Sequence, residues 1–329
     1  MTILVTGGAG FVGSHLARAL LTRGDRVVAI DNFNDYYDPA IKRANAHELA
    51  QHPNFTLIEG DIRDTATLET LFADHGVRRV AHLAAMAGVR ESMRQPKLYL
   101  DVNLTGTFNL LEAARAHGVE NFVFASTSSV YGETTRLPFV EEDAADRPLA
   151  AYPASKRAAE ILAHTYHHLH KLNVTVLRFF NVYGPAGRPD MMPLRVMNAL
   201  LDGTEIPIFN GGDIERDWTY IDDTVQGVIA ALDQPLGYEV MNLGVGAPIS
   251  LREFIDVLEE LSGRRLNTRD VPTPPSDPPI TYCDNSKIRR LLGFNPQTRV
   301  HDGLAQTWDW FRAWRQANGT WPGEDGQTP

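Results

Sequence analysis

Short apolar segments rich in β-branched residues alternate with longer amphipathic segments over the first 180 residues of the chain. Buried parallel strands have such apolar runs, and the pattern predicts strands at residues 2–6, 26–30, 55–59, 79–83, 121–126 and 174–179. The longer segments repeat apolar residues with a helical period and predict helices at residues 13–23, 40–51, 65–75, 104–117 and 153–171. Strands that alternate with helices predict an α/β fold with a parallel, doubly wound sheet.

The pattern changes after Gly184, where Pro and Gly become frequent and strands become short, as at residues 207–209. Residues 217–243 return to the first pattern. Further helices are predicted at residues 222–233, 250–262 and 302–317. We therefore expect a larger domain and a smaller one. The larger domain is predicted to contain residues 1–181 and about 217–246. The smaller domain is predicted to contain residues 182–216 and 247–318, and residues 319–329 form a polar tail.

The composition is that of a soluble globular protein: 43% of the 329 residues are hydrophobic, with 26 Gly and 20 Pro. No apolar run reaches the ~18 residues that span a bilayer, and no signal-peptide pattern precedes the first strand. Cys283 is the single cysteine, which excludes a disulfide within the chain and fits a reducing cytoplasm. The net charge of −10 argues against nucleic acid or an anionic membrane as partner.

Three glycines separate the first strand from the first helix, at Gly7, Gly10 and Gly13. Gly7 allows a tight turn, Gly10 lets the backbone approach a pyrophosphate, and Gly13 lets the helix pack closely on the strand. The phosphates of a dinucleotide would then lie at the helix N-terminus, where free N–H groups and the helix dipole favour anions.

The second strand ends at Asp31. An acid in this place can accept hydrogen bonds from both ribose hydroxyls of NAD, and it would repel the 2′-phosphate of NADP. The alternative is a surface turn residue. The position at the strand end favours contact with NAD.

Tyr152 and Lys156 are four residues apart and therefore one turn apart on one helix face. A lysine ammonium beside a phenol stabilises the phenolate and lowers the tyrosine pKa from ~10 toward neutrality. A phenolate of this kind is a base for a sugar or alcohol hydroxyl. Such a pair also arises by chance on solvated helices. A functional interpretation of this pair is supported by the glycine turn that precedes it in the sequence.

The G-x-x-G-x-x-G spacing together with Y-x-x-x-K resembles the short-chain dehydrogenase/reductase superfamily, and the length points to its extended branch, which acts on nucleotide sugars. The resemblance implies a Rossmann domain for NAD and a smaller α/β domain for the nucleotide sugar. Further matching segments are residues 61–62, 82–90, 103, 126–132, 178–185 and 216–223. The cofactor-binding residues that it implies are Gly7, Gly10, Phe11, Val12, Gly13, Asp31, Asn32, Asp61, Ile62, Leu83, Ala84, Ala85, Asn103, Tyr152 and Lys156.

The catalytic residues implied by the resemblance are Thr127, Tyr152 and Lys156. The family's S/T-x-x-V-Y-G spacing selects Thr127 over the neighbouring serines, and at least one of these hydroxyls is expected only to satisfy backbone groups at the strand end. In nucleotide-sugar 4-epimerases the tyrosine removes the sugar O4 proton while C4 passes hydride to NAD. The lysine binds the nicotinamide ribose, the 4-keto sugar turns over, and hydride returns to its other face.

Ser128 and Ser129 stand where related lyases carry acids. The similar 4,6-dehydratases have an acidic pair just after the Ser/Thr, and UDP-glucuronate decarboxylases have a glutamate immediately before V-Y-G. Elimination and decarboxylation therefore lack their usual acid/base here, which favours simple epimerisation. A non-catalytic NAD-binding protein is also disfavoured, because all three catalytic residues are present.

Two segments, residues 184–191 and 31–39, look like those of UDP-glucuronate 4-epimerases. Arg188, assisted by Ser128 and Ser129, is then the candidate for the substrate carboxylate, since an arginine fork pairs with a carboxylate in bidentate fashion. Oxidation at C4 makes a β-keto acid that readily loses CO2, and holding the carboxylate near the ring plane would suppress this loss. The alternative is an ordinary surface arginine.

Two positions depart from this pattern. Asn181 stands where the glucuronate enzymes usually have Thr; asparagine is usual in UDP-glucose 4-epimerases, which are the second hypothesis. Pro274 replaces an expected nucleotide-binding arginine three residues before Asp277, a predicted substrate residue. Arg216 remains as a diphosphate partner. UDP is favoured, and another nucleotide such as dTDP stays open.

Other candidates have equally good structural alternatives. Phe209 and Trp218 would flank the base or belong to the core. Arg90 would reach the sugar or lie on the surface. The histidines at 164, 167, 168 and 170 are interpreted as a polar helix face and not as a metal site, because no nearby Cys or acid completes one.

In the family, the helices corresponding to 104–117 and 153–171 form a dimer interface, which implies a homodimer.

Overall fold

The computed structural model describes residues 1–274 and 278–319. Its strands are β1 (Thr2–Thr6), β2 (Arg26–Asp31), β3 (Phe55–Glu59), β4 (Arg79–His82), β5 (Asn121–Thr127), β6 (Val174–Phe179), β7 (Asn181–Tyr183), β8 (Glu205–Phe209), β9 (Glu215–Arg216), β10 (Trp218–Tyr220), β11 (Tyr238–Leu243), β12 (Ile249–Ser250), β13 (Asn267–Val271) and β14 (Ile280–Thr281). Its α-helices are α1 (Phe11–Thr22), α2 (Pro39–Leu49), α3 (Thr65–His75), α4 (Val89–Arg94), α5 (Pro96–Leu100), α6 (Gly106–Ala116), α7 (Ala151–His170), α8 (Met192–Asp202), α9 (Ile221–Asp233), α10 (Leu251–Ser262), α11 (Ser286–Leu292) and α12 (Val300–Asn318).

A seven-stranded parallel sheet has the order β11-β6-β5-β4-β1-β2-β3. Strands β1, β2 and β3 follow one another from the centre of the sheet to one edge. The chain then returns to the centre, and β4, β5, β6 and β11 follow one another to the opposite edge. This order confirms the predicted doubly wound fold. The reversal of strand order at β1 and β4 opens a crevice at their carboxyl ends, where such folds bind ligands.

Both faces of the sheet are buried under helices, and β1 shows why its sequence is continuously apolar. Successive side chains of a strand point to opposite faces. Ile3 and Val5 pack in the cluster that contains Leu16 of α1, whereas Leu4 packs in the cluster that contains Leu110 of α6. A polar residue at any of these positions would be buried.

The strands outside the large sheet, with helices α8 and α10, are called the smaller unit here. These strands form the pairs β7–β10 and β8–β13 and the three-stranded sheet β12-β9-β14. Helix α10 begins at a capping box in which the Ser250 hydroxyl accepts from Glu253 N–H and the Glu253 carboxylate accepts from Ser250 N–H. The core of this unit is continuous with the core beneath α1.

Residues 89–105 fold into elements that the sequence pattern does not predict. They form α4, α5 and a π-helical turn at Asp101–Thr105 that runs directly into α6. The predicted helix at 104–117 is therefore the end of a longer helical segment. Among the helices that the structure describes, none is long and apolar enough to cross a membrane.

Candidate active site

A cavity of about 630 Å³ lies at the carboxyl ends of the central strands, between the large sheet and the smaller unit. The predicted cofactor residues on its wall are Gly7, Gly10, Phe11, Val12, Gly13, Asp31, Asn32, Asp61, Ile62, Leu83, Ala84 and Ala85. The predicted catalytic and substrate residues on its wall are Arg90, Thr127, Ser128, Ser129, Tyr152, Lys156, Asn181, Arg188, Phe209 and Arg216. Asp277 lies outside the described residues.

The glycine turn is sterically closed to larger residues. Gly7 has φ of +67°, a conformation that favours glycine, and its N–H donates to the Ile30 carbonyl at 2.8 Å. A Cβ on Gly13 would lie 2.1 Å from the Gly7 carbonyl oxygen. Helix α1 begins at Phe11 with no side-chain cap from Gly10, which leaves the N–H groups of its first turn for an anion.

Two carboxylates border this end of the cavity. Asp31 is buried and accepts hydrogen bonds from the N–H groups of Ala9 (3.2 Å) and Phe33 (2.9 Å), which fixes its side chain at the end of β2. Asp61 forms an ion pair with Arg63 at 2.8 Å, and hydrogen bonds from Arg63 lower the pKa of Asp61 to about 2. Asp61 also accepts from the Asn32 amide at 2.9 Å.

Asn103 lies behind the cavity wall instead of on it. Its amide donates to the Met86 carbonyl and to the Ser155 hydroxyl, both at 3.0 Å, and its side-chain oxygen accepts from Met86 N–H at 2.8 Å. The side chain is buried with these three hydrogen bonds. This predicted cofactor residue therefore connects the loop after β4 to helix α7 through its side-chain hydrogen bonds.

The buried His82 fixes the other side of the same loop through a directional chain of hydrogen bonds. The Thr107 hydroxyl donates to the Asn103 carbonyl at 2.6 Å, and it must therefore accept from His82 Nε2–H at 2.9 Å. His82 Nδ1 then accepts from the Thr6 hydroxyl at 2.8 Å. The oxygen of this hydroxyl in turn accepts from the N–H groups of residues 83–84. Burial holds the pKa of His82 well below its usual value, in agreement with this neutral tautomer.

The predicted catalytic hydroxyls meet at the cavity wall. Thr127 ends β5, Tyr152 lies in the first turn of α7, and both side chains line the cavity. Burial raises the pKa of Tyr152, while the nearby Thr127 hydroxyl and the charge of Arg188 act in the opposite direction. This net direction is opposite to the lowered pKa expected from the sequence.

Lys156 lies one turn further along α7, and its ammonium faces strand β5. Nζ donates to the Ala125 carbonyl at 2.8 Å and lies 4.7 Å from the centre of the Phe124 ring. Burial lowers the pKa of Lys156 to about 7, opposed by the charge of Glu160. The amine thus contacts the strand, and Lys156 is not among the groups that lower the Tyr152 pKa.

The carboxylate of Glu160 is the centre of a buried charged cluster beneath Lys156. It accepts from Arg178 Nε at 3.1 Å and Nη2 at 2.9 Å, and it also accepts from the Ser126 hydroxyl. Both members of the ion pair are almost completely buried. Of the four hydroxyl residues at 126–129, Ser126 therefore has a structural role, as the sequence leads one to expect for at least one of them.

Ser128 and Ser129 begin a short 3₁₀ helix (Ser128–Tyr131) directly after Thr127. Ser129 N–H donates to Thr127 Oγ1 at 3.2 Å, and Thr127 Oγ1 donates to Ser129 Oγ at 3.3 Å. These contacts hold the Ser129 hydroxyl beside Thr127, and Ser128 also lines the cavity.

Arg188 faces the cavity from the loop between β7 and α8, and it is bound to two residues that the sequence analysis did not identify. Asp190 accepts from Nε at 3.0 Å and from Nη2 at 2.6 Å, and the Tyr36 hydroxyl lies 3.4 Å from Nη2. Asp190 and Tyr36 also line the cavity. Both fall within the two segments that resemble glucuronate enzymes, and this was the available signal.

The remaining candidates occupy the part of the cavity near the smaller unit. The Arg90 guanidinium lies over the Phe209 ring, 4.6 Å from its centre. This contact connects helix α4 to strand β8. Arg216 is buried and donates to backbone carbonyls of Glu215 and Pro279. Trp218 is buried against Phe254, with ring centres 4.4 Å apart, and belongs to the core.

Within residues 1–274 and 278–319, no group of three or more His, Cys, Asp or Glu side chains is placed to hold a metal ion. The helix α7 histidines instead make separate contacts: His167 Nδ1 lies 2.9 Å from the Leu172 carbonyl, and His164 meets the Tyr238 ring edge to face.

Comparison with known proteins gives consistent matches along the chain. Residues 3–244 match the NAD dependent epimerase/dehydratase family. A UDP-glucuronate 4-epimerase from Thermodesulfobacterium geofontis is 44% identical over 310 residues, which cover 94% of this chain and 95% of that protein.

Two solved structures have the same fold over nearly the whole chain. A UDP-glucuronic acid 4-epimerase from Bacillus cereus, in complex with UDP-glucuronic acid and NAD, gives a TM-score of 0.88 at 37% identity, covering 95% of this chain and 99% of that one. A UDP-glucose 4-epimerase from Thermotoga maritima, with UDP-glucose, gives a TM-score of 0.88 at 32% identity and the same coverage.

Proposed function

Because the chain belongs to the NAD dependent epimerase/dehydratase family, we propose that it interconverts UDP-glucuronate and UDP-galacturonate by inversion at C4, with NAD as cofactor. The observation that carries this proposal is that Thr127, Tyr152 and Arg188 line one cavity, with the Arg188 charge close enough to act on the phenol. We also propose that residues 1–181 with about 217–246 hold NAD and that residues 182–216 with 247–318 hold the UDP sugar.

The residues at the glycine turn fit NAD. The Gly13 position has no room for a side chain, and the uncapped start of α1 suits a pyrophosphate. Asp31 would accept the ribose hydroxyls, and Asp61 with Asn32 would border the adenosine end. Bound NAD supplies the hydride acceptor and donor at C4, and its repeated use requires that it stay in the site.

The chain's own contribution is proton transfer at the sugar O4. Tyr152 takes this proton as C4 is oxidised and returns it after the 4-keto sugar has turned over. Thr127 lines the cavity with Tyr152 and would form a hydrogen bond with the same sugar hydroxyl. Burial disfavours the phenolate of Tyr152, and the positive charge of Arg188 opposes this effect by lowering the Tyr152 pKa.

An acidic sugar is favoured by the groups around the pair. Arg188, Ser128 and Ser129 supply donors that would hold a carboxylate near the ring plane and so suppress loss of CO2 from the β-keto acid. Ser128 and Ser129 also leave no carboxylate immediately after Thr127 to move the C5 proton, which disfavours a decarboxylase or dehydratase.

UDP-glucose is the second candidate substrate, supported by Asn181. Its side chain lines the cavity and makes no hydrogen bond with any residue in the described part of the chain. An amide can donate to and accept from a neutral hydroxymethyl group, which needs no arginine.

A homodimer is supported by exposed apolar side chains on the helices that form the interface in the family. Phe108 of α6 is 44% exposed, and Ile161 and Leu169 of α7 are 55% and 63% exposed. Contacts with a second copy would remove these side chains from water. A cytoplasmic location is supported by the single cysteine, Cys283, since disulfides are rare in reducing compartments.

The decisive test is incubation of the purified protein with UDP-glucuronate and, separately, with UDP-glucose, with products followed by NMR. We expect UDP-galacturonate without UDP-pentose, and a loss of about 10²–10⁴-fold in rate for Tyr152→Phe, which removes only the proton-transfer group. Conversion of UDP-glucose alone would favour the second candidate. A UDP-pentose or a stable keto sugar as the main product would refute epimerisation.

A further inference from the structure

The arginine assigned to the substrate carboxylate already has a carboxylate partner in the protein. Asp190 occupies the Nε and Nη2 side of the Arg188 guanidinium, at 3.0 and 2.6 Å, in a bidentate pair. The Arg188 side chain is 20% exposed and that of Asp190 is 39% exposed, and both line the cavity. A ligand carboxylate that approaches Arg188 therefore also approaches Asp190.

This pair changes what the cavity offers to an anion. A guanidinium and a carboxylate in contact carry no net charge together, and the attraction for a second carboxylate is reduced. Arg188 and its hydrogen bonds lower the pKa of Asp190 although burial opposes this, so Asp190 is ionised at neutral pH. Arg188 Nη1 makes no hydrogen bond among residues 1–274 and 278–319, and it is the donor left for a ligand.

The pair is held in place by contacts from three parts of the chain. The Tyr36 hydroxyl lies 3.4 Å from Asp190 Oδ2, and it packs so closely on Gly88 that a Cβ there would be 2.3 Å from it. The loop that carries the pair is tied to α1, where His15 Nε2 lies 2.9 Å from the Pro185 carbonyl oxygen. The ion pair is thus a fixed part of the cavity wall.

We propose that Asp190 is a specificity-determining residue: its carboxylate offsets the charge of Arg188 and sets how strongly the cavity prefers an acidic sugar to a neutral one. This inference rests on the proposed function, because it requires a sugar carboxylate near Arg188. The affinity for a neutral hexose changes little when Asp190 offsets the charge of Arg188. An acidic sugar binds less tightly than it would to Arg188 alone, and the cavity remains open to both.

The test measures the ratio of the dissociation constants of UDP-glucose and UDP-glucuronate by calorimetry, in a Tyr152→Phe background where neither sugar is converted. Asp190→Asn removes the charge and keeps an oxygen that can accept from Arg188. We expect it to raise the preference for UDP-glucuronate about tenfold or more, the effect of one unit charge about 6 Å away in a partly solvated site. Asp190→Ser makes the same charge change and replaces the Asn variant if that one misfolds.

Two variants serve as controls. Asp190→Glu keeps the charge and should leave the ratio near that of the parent. Asp35→Asn makes the same charge change on an exposed residue beside Tyr36, and it should also leave the ratio unchanged.

An unchanged or lowered preference for UDP-glucuronate in Asp190→Asn would overturn this inference, while turnover by the wild type would still support the proposed function. If the parent binds neither sugar, both proposals fall together. A rise in preference for Asp35→Asn as large as that for Asp190→Asn would also overturn the inference, because the effect would then be general to the net charge.

Discussion

Lys156 places an amine where its charge is costly. Its Nζ lies between the Phe124 ring and the Ala125 carbonyl, and the nearest opposing charge is that of Glu160, which is itself shared with Arg178. The pKa of about 7 that results makes the charge of Lys156 sensitive to pH in the physiological range. This single residue should therefore impose a pH dependence on the stability of the protein.

We predict that the free energy of unfolding, after removal of bound nucleotide, rises between about pH 7 and about pH 10 because of Lys156. The unfolded chain holds this proton up to a pKa of ~10.4, whereas the folded protein releases it near 7, so the unfolded state binds more protons in that window. Urea unfolding across this range should show the rise in the wild type and a smaller rise in Lys156→Met. Equal slopes in the two proteins would contradict the prediction.

The residues of the site differ in how well the sequence predicts them. Thr127 and Tyr152 are predicted because motif spacing and strand order bring the end of β5 to the start of α7. Asp190 and Tyr36 are not predicted, because they are 154 positions apart and only the folded chain makes them neighbours. The contacts of Asn103 are not predicted for a related reason: the sequence cannot show that Met86 and Ser155 are its hydrogen-bond partners.

Among the elements, strands and helices with a long, regular period are predicted to within about two residues. Helices α4 and α5 are not, because each is about one turn long and Pro96 separates them, which leaves too few residues to show a period. Helix α8 is missed because Pro193 is its second residue. That Pro lies in the first helical turn, where the missing N–H costs nothing.

The glycine turn gives a prediction about α1 as a whole. In Gly13→Ala the new Cβ would lie 2.1 Å from the Gly7 carbonyl oxygen, so α1 must move away from β1 and from the phosphate position. We expect this variant to lose bound NAD, measured by absorbance at 260 nm and by reverse-phase chromatography of released nucleotide.

Gly24→Ala is the comparison for replacing a glycine outside the site, since its Cβ would meet no atom of the described residues within 4 Å. It should keep its bound nucleotide. Full retention of NAD by Gly13→Ala would show that the helix can shift without harm to the site.

For the whole molecule, the exposed apolar side chains of α6 and α7 predict its assembly. We expect Ile161→Glu combined with Leu169→Glu to give a monomer by light scattering, because carboxylates cannot be buried unpaired in the interface. Leu137→Glu, at a 40% exposed leucine outside these two helices, should leave the mass unchanged. A wild-type monomer, or a double variant that stays dimeric, would refute the proposed interface.

The position of β11 has a consequence for synthesis on the ribosome. Strand β6 ends at Phe179, but the neighbour that covers its outer edge begins at Tyr238, roughly sixty residues and about 3–12 s of translation later. During this interval the nascent sheet has an open edge of unpaired N–H and C=O groups, which attracts other strands. Chaperone binding should therefore concentrate on nascent chains of intermediate length, and a fragment that stops at residue 181 should aggregate instead of folding as a free-standing domain.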